Sequence, residues 1–307
     1  MSLFDVETGP VPESWNPFGE EFAEPVSDAP AGPRKPGFDK RTGRYNDLPP
    51  VPGYEKVKTW MRVTTLKSTL EDQWRLEAWK RRQVIMGIKR EPKLLGEIGP
   101  QLDPSTKYGR AKLDQLVERA IEIAGSHEGR ERGSDLHEII EAEQNGSLGL
   151  ESLDDDQRAW LDGYRRCLRS GGVTLLPEYS ERVVVIPEIG CAGTLDTIAD
   201  DNGVLRIGDL KTQKWEPGVF DRISLCAQLA SYSRAAFMLD TESWTWEAMP
   251  HVNQEMGVII WAPAVEPGKA EIYEVDLSFG WEMVLESLKT RANRNRKGVV
   301  TKRSTTT

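Results

Sequence analysis

Two short runs hold the residues best suited to chemistry: Gly193-Thr194-Leu195-Asp196 and Ile207-Gly208-Asp209-Leu210-Lys211. A strand turns successive side chains to opposite faces, so Asp209 and Lys211 point the same way. Between the runs stands Asp200-Asp201-Asn202-Gly203, in which Asn and Gly accept positive φ at little cost. Folding the chain there as a β-hairpin returns Asp196 to the side of Asp209. Two carboxylates held close repel unless a cation lies between them. Hard oxygen donors with an adjacent lysine suit Mg²⁺ or Mn²⁺ and the chemistry of phosphates. A lone Asp-x-Lys is usually solvated surface; the acid–turn–acid-x-Lys combination is rarer.

The elements that must position these residues follow from the rest of the chain. It has 307 residues, a net charge of −9 and 38% hydrophobic residues, enough for a sizeable core. No apolar run is long enough to span a bilayer, and the N-terminus lacks the pattern of a signal peptide. The scattered thiols Cys167, Cys191 and Cys226 fit a reduced, cytoplasmic protein and lack zinc-site grouping. Residues 1–55 hold ten of the 19 prolines and show no hydrophobic period, which reads as a disordered acidic tail.

Residues 56–130 read as a helical N-terminal portion. Ser68-Thr69-Leu70-Glu71 has the form of a capping box, with Leu70, Trp74, Ala78 and Ile85 on one helix face. Trp60, Trp74 and Trp79 read as core aromatics, with base stacking as the alternative. Further helices are expected over Lys107–Ala124, Gly133–Gln144 and Asp155–Ser170. Strands follow at Arg182–Ile186, Cys191–Ala199 and Val204–Lys211. A helix over Asp221–Leu239 and strands at Met256–Ala262 and Ala270–Leu277 come next, then a helix over Phe279–Asn295. The class is α/β, or mixed α+β: one central mixed sheet flanked by helices. Two basic stretches, Trp74–Lys93 and the acid-free segment from Lys289 onward, offer contacts to phosphates. The last residues, 296–307, read as a basic flexible tail.

Laid out in order, four elements resemble the RecB-type branch of the PD-(D/E)XK nuclease superfamily, which includes CRISPR-associated and phage recombination exonucleases. Gly133-Ser134-Asp135-Leu136-His137 is similar to its Gly-x-x-x-His helix. Gly193-Thr194-Leu195-Asp196 resembles the strand with the first metal-binding acid, although Leu rather than Pro precedes it. Asp209-Leu210-Lys211-Thr212 and Gln228-Leu229-Ala230-Ser231-Tyr232 resemble the acid-x-Lys-Thr strand and the Gln-x-x-x-Tyr helix. A fifth, weaker likeness lies in Val63-Thr64-Thr65-Leu66 and Leu76-Glu77-Ala78-Trp79.

The resemblance implies a restriction-endonuclease-like core over residues 131–295. It implies that Asp196, Asp209 and the Leu210 carbonyl bind Mg²⁺ or Mn²⁺, with His137 completing the site. Lys211 would orient or help deprotonate the attacking water. Gln228 and Tyr232 would support the site or touch DNA, and Glu181 is a weaker candidate. The four cysteines of the iron–sulfur members are not available, so no cluster is expected. The implied activity is metal-dependent hydrolysis of DNA, as an exonuclease in phage or prophage recombination, repair or replication, acting in a bacterial cytoplasm. The implied partners are the DNA backbone, gripped without regard to sequence, and a single-strand annealing or binding protein. Two alternatives stay open: a DNA-end-binding or docking module on a nuclease fold, and a structure-specific endonuclease.

Overall fold

The computed structural model describes residues 36–39, 41–99, 102–125 and 128–302. It opens with short strands β1 (Phe38–Asp39), β2 (Arg44–Tyr45) and β3 (Trp60–Arg62), and a short helix α1 (Val63–Lys67). Helices α2 (Trp74–Arg90), α3 (Lys107–Ile123), α4 (Glu128–Gln144) and α5 (Asp155–Gly171) follow. Next come β4 (Val173–Leu175), β5 (Arg182–Ile186), β6 (Cys191–Leu195), β7 (Thr197–Asp201) and β8 (Val204–Lys211). Helix α6 (Arg222–Ser233), strands β9 (Phe237–Asp240), β10 (Thr245–Ala248), β11 (Met256–Trp261) and β12 (Glu271–Asp276), and helix α7 (Leu277–Arg294) complete the chain. The class is mixed α/β.

The strands form two mixed sheets rather than the single one expected. One has seven strands in the order β1-β2-β3-β6-β5-β9-β10; the other has five, β12-β11-β8-β7-β4. The stretch read as one strand from Cys191 to Ala199 is two strands, one in each sheet, with Asp196 between them. Strands β7 and β8 form the expected hairpin, with Thr197 opposite Gly208 and Asp201 opposite Val204. Its turn residues, Asn202 and Gly203, both have positive φ, which matches the right-handed twist of the flanking strands.

The five-stranded sheet is covered on both faces. On one, Leu210 and Ile260 pack with Leu136 and Ile140 of α4 and Trp160 of α5. On the other, Ile207 and Ile259 pack with Leu229 of α6 and Val284 of α7. Burial on both faces explains why β11 is a near-continuous apolar run rather than an alternation. Small residues let α6 and α7 approach: a Cβ on Gly280 would strike the Cys226 carbonyl and the Ala230 methyl.

Several expected boundaries move. Residues 36–39 and 41–55, read as part of the tail, carry β1 and β2 and bury Tyr45 and Val51 against Trp60; residues 1–35 lie outside the described residues. Met61, Val63 and Leu66 belong to the main core rather than to a separate helical portion. Ser68 is the C-cap of α1 and starts only a 3₁₀ turn rather than a long helix; α2 begins at Trp74. Its expected apolar face is not buried, since Trp74 is 68% and Ile85 66% exposed. Helix α2 instead packs through Val84 and Ile88 on Leu116 and Ala120 of α3. Of the three tryptophans, Trp60 is core, whereas Trp74 and Trp79 are exposed.

The helix expected over Asp221–Leu239 stops at Ser233, and Phe237–Asp240 is a strand paired to β5 and β10. Of the basic terminal segment, residues 303–307 lie outside the described residues. Among the described residues no helix is long and apolar enough to cross a membrane.

Candidate active site

The hairpin delivers the two acids as its register requires. Asp196 immediately precedes β7, so it falls beside the end of β8, and its Oδ2 accepts a hydrogen bond from the Leu210 N–H at 3.2 Å. Asp209 and Lys211 share one face of β8: Lys211 Nζ lies 2.6 Å from Asp209 Oδ2. Asp209 is buried. Its other oxygen, Oδ1, accepts a 3.5 Å contact from Gln228 Nε2 of α6.

The electrostatics are those of a crowded anionic site. Burial pushes the Asp196 carboxyl well above the usual carboxylate range. The charge of Asp209, and less so that of Glu181, pushes it further, against the pull of Lys211 and the Leu210 N–H. Burial works to strip the proton from Lys211, but Asp209 and Asp196 together outweigh it and hold the ammonium above its ordinary value. His137 is pushed down, first by burial and then by Lys211, with Asp209 opposing. A neutral imidazole is the form that binds metals.

Glycines set the spacing. A Cβ on Gly133 would sit 2.9 Å from Thr212 Oγ1, so its absence lets α4 approach the end of β8. His137 lies about one helical turn further on, beside the site. A Cβ on Gly193 would lie 2.8 Å from Tyr232 Cε1 and OH. Tyr232 therefore packs closely against β6, where burial and then Asp196 raise its hydroxyl well above the ordinary value.

His137, Glu181, Asp196 and Leu210 line one cavity of ≈ 30 Å³, with Tyr164 and Gln144 at its wall. That is space for about one water or ion. Glu181, the weakest of the expected candidates, thus stands next to Asp196. Its N–H donates to the Asp196 carbonyl at 3.0 Å, and its φ of 51° is unusual for a residue other than Gly or Asn. Asp209, Lys211 and Gln228 gather on the α6 side of the sheet. The expected residues are therefore neighbours but form two groups, with Asp196 between them. Among the described residues no three His, Cys, Asp or Glu side chains converge into a ready metal cage.

Lys67 was not singled out from the sequence. It lies at the end of α1 and donates from Nζ to Gln228 Oε1 at 2.6 Å. It is thereby linked through Gln228 to Asp209. Burial, and then the charge of Lys211, lowers its ammonium below the ordinary value. Lysines at the ends of amphipathic segments are common, so nothing local marked this one. Only the long-range packing of α1 on α6 puts it here. No protein-family model matches this chain, and no curated protein matches it.

Proposed function

We propose that this chain is a divalent-metal-dependent deoxyribonuclease with a restriction-endonuclease-like core, acting as an exonuclease. One observation carries the reading: Asp196 sits beside the Asp209-x-Lys211 strand end, in an environment that penalises its own negative charge. A buried acid held that way is poorly placed for stability and well placed to meet a cation. The donors available are of the right kind: Asp196, Asp209 and the Leu210 carbonyl are hard oxygens, and the His137 imidazole is neutral. Mg²⁺ or Mn²⁺ held there would lower the pKa of water and stabilise charge on the phosphate oxygens.

The chain's own residues supply the rest. Lys211 stays protonated beside Asp209, so its part is to carry positive charge toward the phosphate and orient water rather than to act as a base. Gln228 holds both Lys67 and Asp209, fixing lysine and acid in one hydrogen-bonded row. Tyr232, buried against Gly193, supports the strand that leads into Asp196. The packed faces of α4 and α6 exclude bulk water, which strengthens each of these interactions.

End-labelled linear DNA incubated with the protein and Mg²⁺ or Mn²⁺ tests this. Degradation is expected in the wild type, and Asp209→Ala and Lys211→Ala should each lose about 10²-fold or more. EDTA should abolish it, and the product ladder would show polarity. Equal residual activity in wild type and both variants would sink the reading. One observation favours a second reading, a DNA-end-binding module: the Asp209 carboxylate is engaged by Lys211 and the remaining donors do not converge. Binding of DNA ends without cleavage in any metal would select it.

A further inference from the structure

The chain leaving the site carries exposed aromatic rings. Directly after Lys211 come Thr212, Gln213, Lys214 and Trp215, and the segment continues to Phe220 before α6 begins. Trp215 is 56% and Phe220 53% exposed. The two rings meet edge to face, with centroids 5.6 Å apart. Lys214 Nζ lies 5.4 Å from the Trp215 ring centroid, and Arg75 of α2 stands 4.7 Å from that of Phe220.

This loop is held in shape. Asp221 accepts hydrogen bonds from the Gly218 N–H at 2.8 Å and from Gln213 Nε2 at 3.4 Å. The Trp261 indole donates to the Gln213 carbonyl at 2.8 Å. Large aromatic rings on a stapled loop are not left over from an incomplete core. Trp215 stands four positions after Lys211, a reach of at most about 14 Å.

We propose that Trp215 and Phe220, flanked by Arg75 and Lys214, form a stacking platform for unpaired nucleotides of a DNA strand entering or leaving the site. The proposal rests on the nuclease reading of that neighbouring site. The chemistry selects this ligand. Aromatic faces stack on any base whose own face is free, and adjacent cations neutralise the phosphates between successive bases. In a blunt duplex the base faces are already stacked on each other. The platform therefore favours single strands, overhangs and frayed ends over intact duplex, a preference for substrate form rather than sequence.

The test is fluorescence anisotropy with the full chain in EDTA, using labelled oligothymidylate and a blunt duplex of equal length. The double variant Trp215→Ala/Phe220→Ala should bind the single strand about tenfold or more weakly and the duplex nearly as before. Trp215→Phe, which keeps a stacking face, should retain most of the affinity. Lys214→Glu, at an exposed site that cannot disturb the core, should also weaken single-strand binding. Hydrolysis of bis(p-nitrophenyl) phosphate with Mn²⁺ should be unchanged in all of them. Unchanged single-strand affinity in the double variant and in Lys214→Glu would overturn the platform. So would an equal loss on duplex, or a change in sedimenting mass that marks the patch as a contact between two copies. The two proposals fail separately. Stacking-dependent binding without hydrolysis of any ester supports the platform and defeats the nuclease, whereas hydrolysis with unchanged binding defeats the platform alone.

Discussion

Asp196 carries a cost at neutral pH. Its carboxyl is raised by burial and by Asp209, so the folded state holds its proton to a higher pH than the unfolded chain does. The stability this contributes is fully present below the unfolded value, about pH 4. It is lost as pH rises through the folded value, because the folded protein then binds more protons than the unfolded one. In EDTA, Asp196→Asn should therefore melt higher than wild type by an order of a few °C near neutral pH. The difference should shrink toward pH 4 in calorimetry. A variant that melts lower at every pH would show that the charge is well accommodated. The same substitution should abolish metal-dependent cleavage, a gain of stability at the expense of activity. Lys211 follows the same rule with a different outcome. Its raised value keeps the ion pair with Asp209 intact through neutral pH, and that contribution is lost only as pH rises through its folded value. Lys67, lowered by burial and by Lys211, is the lysine of the two that gives up its proton more readily. Lys67→Gln should slow cleavage by about tenfold and move the alkaline limb of the pH–rate profile. An unchanged profile would reduce Lys67 to a structural contact of Gln228.

At the scale of elements, the site depends on how closely helices approach strands. Gly193→Ala drives a methyl into the buried Tyr232 ring, an overpacking that should cost about 1–3 kcal/mol. Denaturant titration would measure it, and cleavage should fall with it because β6 leads straight into Asp196. A cost near zero would show that Tyr232 is free to move aside. Much of this was legible in the sequence. The Asn202-Gly203 turn fixed the register of β7 and β8, and with it the meeting of Asp196 and Asp209. Helices α3, α5 and α7 lie within one or two residues of their expected bounds, and β5 matched to the residue. What escaped has physical causes. The strand β9 was hidden because Phe237-Met238-Leu239 continues the apolar run of α6, and short apolar runs do not distinguish helix from strand. The break at Asp196 between two sheets leaves no mark in a run whose period is two on either side. The exposed rings of α2 misled because periodicity reports an apolar face without saying what covers it. Lys67 reaches the site from a remote part of the chain, and spacing along a sequence carries no such information.

Over the whole molecule, the seven-stranded and five-stranded sheets are joined in sequence at several points, and β6 to β7 is the tightest, with Asp196 as the sole intervening residue. Elsewhere the connections are slacker. The turn between β9 and β10, residues 241–244, is exposed at Glu242 and Ser243 and contains none of the candidate site residues. Such turns accept inserted residues at little thermodynamic cost. A short Gly/Ser insertion there should leave melting temperature and cleavage close to wild type, while the same insertion after Leu195 should abolish cleavage. Loss of activity from both would mean that the β9–β10 edge also bears on the site. The joint at Asp196 has a consequence for how such a chain can change over generations. A lineage can lengthen its outer turns, trade its surface helices or recolour its basic faces, and its chemistry stays where it was. It cannot add or remove a single residue at this joint without shifting a carboxylate by a residue's length and turning it to the opposite face. The joint is thus a fixed point of the architecture, against which every other part is free to drift.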